Sequence, residues 1–169
     1  GILGQHRGRY TNRLITVGAG TGTYDKTRLV PFGEYVPLES IFRGLIAFFD
    51  LPMSTIIPGN RQQMISHGYL KFAPLICYEI AFTGQARNMA RSANVILTVS
   101  NDTWFGDSIG PDQHLQIAQI RARELGKPVV RATNDGLTAF INARGRIEQE
   151  LPRFEKAILR HSIIPATTV

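Results

Sequence analysis

Cysteine occurs once in these 169 residues, tryptophan occurs once, and no apolar run reaches the ~20 residues that cross a bilayer. A single thiol excludes an internal disulfide framework and a cysteine-based metal site, and leaves the redox compartment open. No block of one charge is present either. The net charge of +6 arises from 19 basic and 13 acidic residues scattered along the chain, which argues against a nucleic-acid-binding tail and is compatible with an anionic membrane surface. There is no internal repeat, no low-complexity linker and no basic-then-apolar leader. Among His6, His67, His114 and Ser66 there is no triad spacing and no metal-ligand pair, so neither metal nor cofactor is expected. Glycines 18, 20 and 22 lack the GK[ST] of a phosphate loop and read as a turn.

What is present begins with 43% hydrophobic residues, enough for a core of one domain. The chain starts without Met in a Gly-rich polar stretch, Gly1 to Tyr10, and stops soon after Ala157 to Ile164, which reads as a strand; both ends read as cuts through something larger. Between them, Leu14–Val17 and Arg28–Val30 read as strands, the latter stopped by Pro31. Apolar residues recur helically from Leu38 to Phe49. Tyr69–Cys77 reads as a strand carrying Pro74, Thr83–Ser92 as a helix, and Asn94–Ser100 as a strand covered on both faces. Gly110-Pro111-Asp112 opens a helix that Gly126 closes, with an apolar stripe at positions 115, 117, 118, 120, 122 and 125. Val129–Thr133 and Leu137–Ile141 flank Asn134-Asp135-Gly136 as a hairpin. The alternation predicts an α/β layered domain with a mixed sheet.

Cys77 ends an apolar strand just before a helical stretch, where a thiolate would find helix N–H groups and, if the fold brings it close, the Lys26 ammonium. Glu34, eight residues beyond Lys26, or Glu79, two beyond Cys77, would hold the lysine or move protons. The competing reading is that Cys77 is a small buried hydrophobe. Trp104, in the polar loop after the clearest strand, is either a ligand contact or a cover for the core. Phe42, Leu45, Ile46, Phe48 and Phe49 are either core or, beside Arg43, an outward lid that dips into lipid.

Four stretches in order, Tyr24-Asp25-Lys26 with Leu29-Val30-Pro31-Phe32-Gly33-Glu34-Tyr35-Val36-Pro37, Ile76-Cys77-Tyr78-Glu79 with Phe82, Ser100-Asn101-Asp102-Thr103-Trp104-Phe105-Gly106, and Arg131-Ala132-Thr133-Asn134-Asp135-Gly136, resemble the bacterial apolipoprotein N-acyltransferases. These form a membrane-embedded branch of the nitrilase (carbon-nitrogen hydrolase) superfamily, and the resemblance covers nearly the whole chain. It implies a four-layer α-β-β-α sandwich, incomplete here, and a Glu-Lys-Cys set in which Cys77 stands at the nucleophile and Lys26 at the lysine. Glu34 matches the family's additional glutamate, Tyr78 and Glu79 the neighbours of the nucleophile, and Trp104 and Phe105 supporting positions.

The reaction implied moves a fatty acyl group from a membrane phospholipid, through a Cys77 thioester, to the α-amino group of an N-terminal diacylglyceryl-cysteine on an apolipoprotein. The implied location is the bacterial inner membrane, with the catalytic domain on the periplasmic side. The family's general-base glutamate lies in an earlier strand and its transmembrane bundle precedes that. Residues 1–169 therefore read as a C-terminal part of the domain, expected to be inactive alone. The same motifs leave room for a soluble nitrilase-like amide hydrolase, which has little use for the aromatic lid, and for a non-catalytic module that binds lipid or a partner.

Overall fold

The computed structural model describes residues 2–6, 9–35 and 56–167. The predicted helix over 38–49 and all five lid residues lie outside these. Two sheets organise the described residues. Strands β1 (Ile2–His6), β2 (Arg9–Ile15) and β3 (Thr23–Asp25) form an antiparallel sheet in that order. A six-stranded sheet runs in sequence order through β4 (Ile65–His67), β5 (Leu70–Ile76), β6 (Val95–Asn101), β7 (Val129–Asn134), β8 (Thr138–Ile141) and β9 (Ile147–Leu151). β5, β6 and β7 are parallel and the outer pairings antiparallel, so the mixed sheet of the sequence reading is present. The first sheet meets the second where Thr21 and Ser66 exchange backbone hydrogen bonds of 2.8 Å.

Parallel neighbours need long crossovers, and helices α1 (Thr83–Ala90) and α2 (Gly110–Leu125) supply them. Both pack on the sheet and touch each other. Leu75, Ile80, Val95, Ile96, Val129 and Ile141 are fully buried, each contributing ~1.5–3 kcal/mol by removal from water. Ala86, Ala118 and Ala122 at the contact let the helices sit close to that layer. α2 begins with Pro111 in its first turn and ends on Gly126 in the left-handed region, as its capping residues predict. Its buried face is shifted from the predicted stripe: Pro111, His114, Leu115, Ala118, Arg121 and Ala122 point inward, while Ile120 is half exposed.

Three local readings change. Gly1 to Tyr10, read as a Gly-rich polar stretch without an element, supplies β1 and the start of β2, which pair from Ile2↔Arg13 to His6↔Arg9. Arg28–Val30 is not a strand, because the amides of Arg28 and Val30 are taken by the carboxylates of Glu79 and Glu34 instead of a neighbouring strand. Ala157–Ile164 forms no strand; the final strand is β9, and the chain after it is tied down at Ala166, whose N–H donates to the Asn94 carbonyl. Pro74 sits inside β5, where it is tolerated because β4 pairs only with Leu70–Phe72 and leaves the strand one open flank beyond.

The turn after β8 is locked against α2. Asn142 Oδ1 accepts from the amides of Arg144 and Arg146, and Gln119 Nε2 donates to the Gly145 carbonyl. Gly145 has φ +78° and a Cβ there would lie 2.6 Å from the Gln119 carbonyl, whereas at Gly18, with φ +79°, a Cβ meets nothing within 4 Å. Gly145→Ala should therefore lower stability by about 1–3 kcal/mol and Gly18→Ala by no more than about 1 kcal/mol, read from urea midpoints. Equal losses would refute the docking of this turn on α2.

Candidate active site

Cys77 follows the C-terminal end of β5 and occupies the left-handed region with φ +54°, a conformation that costs a non-glycine residue ~1–3 kcal/mol. It opens a single 3-10 turn, Cys77–Ala81, and α1 begins only at Thr83 after an extended Phe82. A tight elbow thus separates the thiol from the helix, which begins at Thr83 as the sequence reading has it. Cys77 is half-buried, neither sealed in the core nor fully open.

The strain is held from one side by Glu79. This fully buried carboxylate accepts from the Tyr24 hydroxyl at 2.8 and 2.9 Å, the Thr27 amide at 2.8 Å and hydroxyl at 3.0 Å, the Arg28 amide at 3.0 Å, the Ile76 amide at 2.8 Å and Gln85 Nε2 at 2.8 Å. Burial, and then the Glu79 charge, push the Tyr24 phenol well above its ordinary range, which keeps it a neutral donor. Thr27 follows Lys26 and Ile76 precedes Cys77. One carboxylate therefore joins the lysine-bearing loop to the elbow, 50 residues apart in sequence, with the two amide nitrogens within about 8 Å of each other.

Lys26 is 1% exposed and donates to both Glu34 oxygens, at 2.8 and 2.7 Å. Glu34 also accepts from the Val30 amide at 2.7 Å and Asn12 Nδ2 at 3.3 Å. Of the two glutamates considered for holding the lysine, Glu34 does so; Glu79 is committed to the neutral donors around it.

A second buried carboxylate supports the elbow from behind. Asp102, at 0% exposure, accepts from Ser100 Oγ at 2.5 Å and Arg131 Nη2 at 2.6 Å, and lies 3.1 Å from His114 Nδ1. Burial opposes its charge, but the hydrogen bonds from His114 and Ser100 and the Arg131 charge outweigh burial and hold its carboxyl below the ordinary 3.8. His114 Nε2 is 3.2 Å from the Cys77 carbonyl, and Arg121 Nε, two helical turns on, donates to the Ile80 carbonyl at 3.0 Å. Gly136 presses on this cluster, since a Cβ there would fall 2.3 Å from Asp102 Oδ2.

A cleft of about 420 Å³ opens beside the elbow, lined among others by Arg28, Leu29, Tyr35, Ile56, Tyr78 and Phe82. Arg28 stacks on the Phe82 ring with its guanidinium carbon 4.3 Å from the centroid. Tyr78 thus lies on the cleft wall, whereas Glu79, beside it in sequence, points into the interior. Trp104 is 75% exposed, which removes the reading of it as a cover for the core; Phe105 is partly exposed with its ring edge toward His114.

Tyr24, Gln85, Asp102, His114 and Arg131 went unassigned in the sequence reading. A signal for His114 and Arg121 was available: both fall at helical spacing with Pro111, Leu115, Ala118 and Ala122, so polar side chains of α2 share its buried face.

The sequence profile of the carbon-nitrogen hydrolase family matches residues 1–168. Apolipoprotein N-acyltransferase of Pseudomonas aeruginosa is 53% identical over 165 residues, covering 96% of this chain and 32% of the relative. That of Azotobacter vinelandii is 50% identical over 159 residues, covering 93% and 31%. The chain thus spans about a third of the length of these relatives. Among solved structures, a carbon-nitrogen hydrolase from Helicobacter pylori superposes with TM-score 0.68 at 15% identity, covering 92% of this chain and 58% of the other. A glutamine-dependent NAD+ synthetase from Acinetobacter baumannii gives 0.70 at 17%, covering 92% and 29%. At such identities these two establish the fold alone, and it is the nitrilase-like α/β fold.

Asp102→Asn leaves Arg131 without its buried counter-charge and should cost ~3–5 kcal/mol in the urea midpoint at pH 7. Because the folded-state value of Asp102 is depressed, its contribution is fully present above about pH 4 and lost as pH falls through the folded value. The gap between wild type and Asp102→Asn should close on acidification, and a gap that widens would contradict the assignment.

Proposed function

Because the chain belongs to the carbon-nitrogen hydrolase family, we propose that it carries the nucleophile half of an N-acyltransferase site, with Cys77 as the acyl-carrying residue. The observation that carries this reading is the left-handed Cys77 elbow joined through Glu79 to the loop that presents Lys26 bonded to Glu34. The similarity to apolipoprotein N-acyltransferases supports reading the acceptor as an apolipoprotein amine.

In the first step the Cys77 thiolate attacks the ester carbonyl carbon of a phospholipid. A C–S bond forms, the C–O bond breaks, and the lysophospholipid oxygen takes a proton. In the second step the free α-amino group of a diacylglyceryl-cysteine attacks the thioester; N–C forms, C–S breaks and the thiol returns. Lys26 Nζ, desolvated and oriented by Glu34, stabilises the oxyanion of both tetrahedral intermediates. Glu34 pairs with Lys26 and aims it, and the general base that deprotonates first the thiol and then the amine comes from the part of the relatives that this chain does not span. The parent protein acts at a bacterial inner membrane from its periplasmic side, and the lid residues Phe42, Leu45, Ile46, Phe48 and Phe49 meet the acyl chains. Among the described residues no helix is long and apolar enough to cross a membrane. Tyr78, with Leu29 and Ile56, lines the cleft that receives the donor, and the exposed Trp104 and Phe105 keep their supporting role.

The test is mass spectrometry of a full-length protein carrying this sequence after incubation with phospholipid vesicles. An adduct of acyl-chain mass on the peptide containing Cys77 is expected, lost on hydroxylamine treatment and absent from residues 1–169 alone. Lys26→Met should slow its formation at least ~10²-fold, since it removes an oxyanion donor. A folded full-length protein that forms no adduct would overturn the transferase reading in favour of a binding module. Release of the acyl group to water without transfer to an amine would favour the hydrolase.

A further inference from the structure

His114 lies between two groups that can only accept. The Cys77 carbonyl at 3.2 Å from Nε2 has no proton to give, and Asp102, 3.1 Å from Nδ1, already receives from Ser100 and Arg131 and is held ionised by them. A neutral imidazole carries one N–H and one lone pair. Either tautomer would turn that lone pair toward an acceptor oxygen inside a site where His114 is 6% exposed, leaving a buried group unsatisfied at real cost.

We propose that His114 is a buried imidazolium and the positioning residue of Cys77, latching the elbow carbonyl through Nε2–H while Nδ1–H is anchored on Asp102. The inference deepens the transferase reading, since it names what steadies and charges the ground beneath the nucleophile. Among the described residues, the charged and titratable groups around the ring are Asp102 from the turn after β6, Cys77 from the elbow, Arg131 from β7 across Asp102, and Arg121 further along α2. Glu79 turns away toward Tyr24, Thr27 and Gln85.

Two further observations bear on the charge. Arg131 Nη1 is buried with no hydrogen-bond partner among the described residues, so that guanidinium is not neutralised on every side. Burial pulls the Arg131 guanidinium below its ordinary value, against support from the Asp102 and Cys77 charges. With Asp102 as the single anion between them among the described residues, His114 and Arg131 leave one net positive charge under the elbow. That excess favours the thiolate and the acyl-transfer intermediates that follow it.

The test needs no acyl donor. In a full-length protein with 15N-labelled histidine, the His114 ring at pH 7.5 should show protons on both nitrogens; a single ring N–H would overturn the proposal. Alkylation of Cys77 by iodoacetamide, mapped by peptide mass spectrometry across pH, supplies the second readout. His114→Gln keeps an N–H for the Cys77 carbonyl and removes the charge. It should slow alkylation at neutral pH by roughly tenfold, with the midpoint of the profile moved upward. His114→Ala should be slower still, with partial recovery in the Gln variant. A folded His114→Gln protein with the wild-type alkylation profile would overturn the proposal, even where the acyl adduct on Cys77 forms normally. Loss of acyl transfer with this histidine behaviour intact would instead count against the transferase reading alone.

Discussion

The arrangement depends on one buried carboxylate. Glu79 cannot remain charged at 0% exposure without donors, and the donors come from two stretches that sequence order keeps 50 residues apart: Tyr24, Thr27 and Arg28 on one side, Ile76 and Gln85 on the other. Satisfying the carboxylate is therefore the same event as assembling the site. Arg28 and Val30 give up strand pairing for it and for Glu34, which is why the loop carrying Lys26 is irregular and closely defined at once.

Cys77 is held between two such acids of opposite function. Glu79 gathers neutral donors and fixes position. Asp102 gathers Ser100, Arg131 and His114, and so manages charge. The left-handed backbone of Cys77 is kept where it is by the Ile76 amide on one flank and the carbonyl contact to His114 on the other. Strain of this kind survives only where surroundings over-determine it, and here two separate networks converge on consecutive residues.

Much of this was legible from residue types. The Asn134-Asp135-Gly136 hairpin, the Pro111 and Gly126 limits of α2, and the β-branched run of β6 follow local rules that the fold obeys. Motif order singled out Lys26, Glu34 and Cys77, and the structure joins the first two in an ion pair. What was not legible is long-range. Nothing in Arg28-Leu29-Val30 announces that its amides belong to carboxylates 51 and 4 residues away, so strand propensity misled. Pairing of β1 with β2 rested on few apolar residues, because an edge sheet that is largely exposed needs little periodic hydrophobicity. His114 was passed over because catalytic spacing was sought along the sequence, whereas its partners Cys77 and Asp102 are neighbours only across the ends of β5 and β6.

The central claim is that Glu79 couples the lysine loop to the cysteine elbow, and amide hydrogen exchange reads this directly. In the wild-type protein the amides of Thr27, Arg28 and Ile76 should be protected, and in Glu79→Gln all three should lose protection together while β6 amides keep theirs. Exchange at Thr27 and Arg28 that is unchanged by the substitution, or that falls without Ile76, would contradict the account.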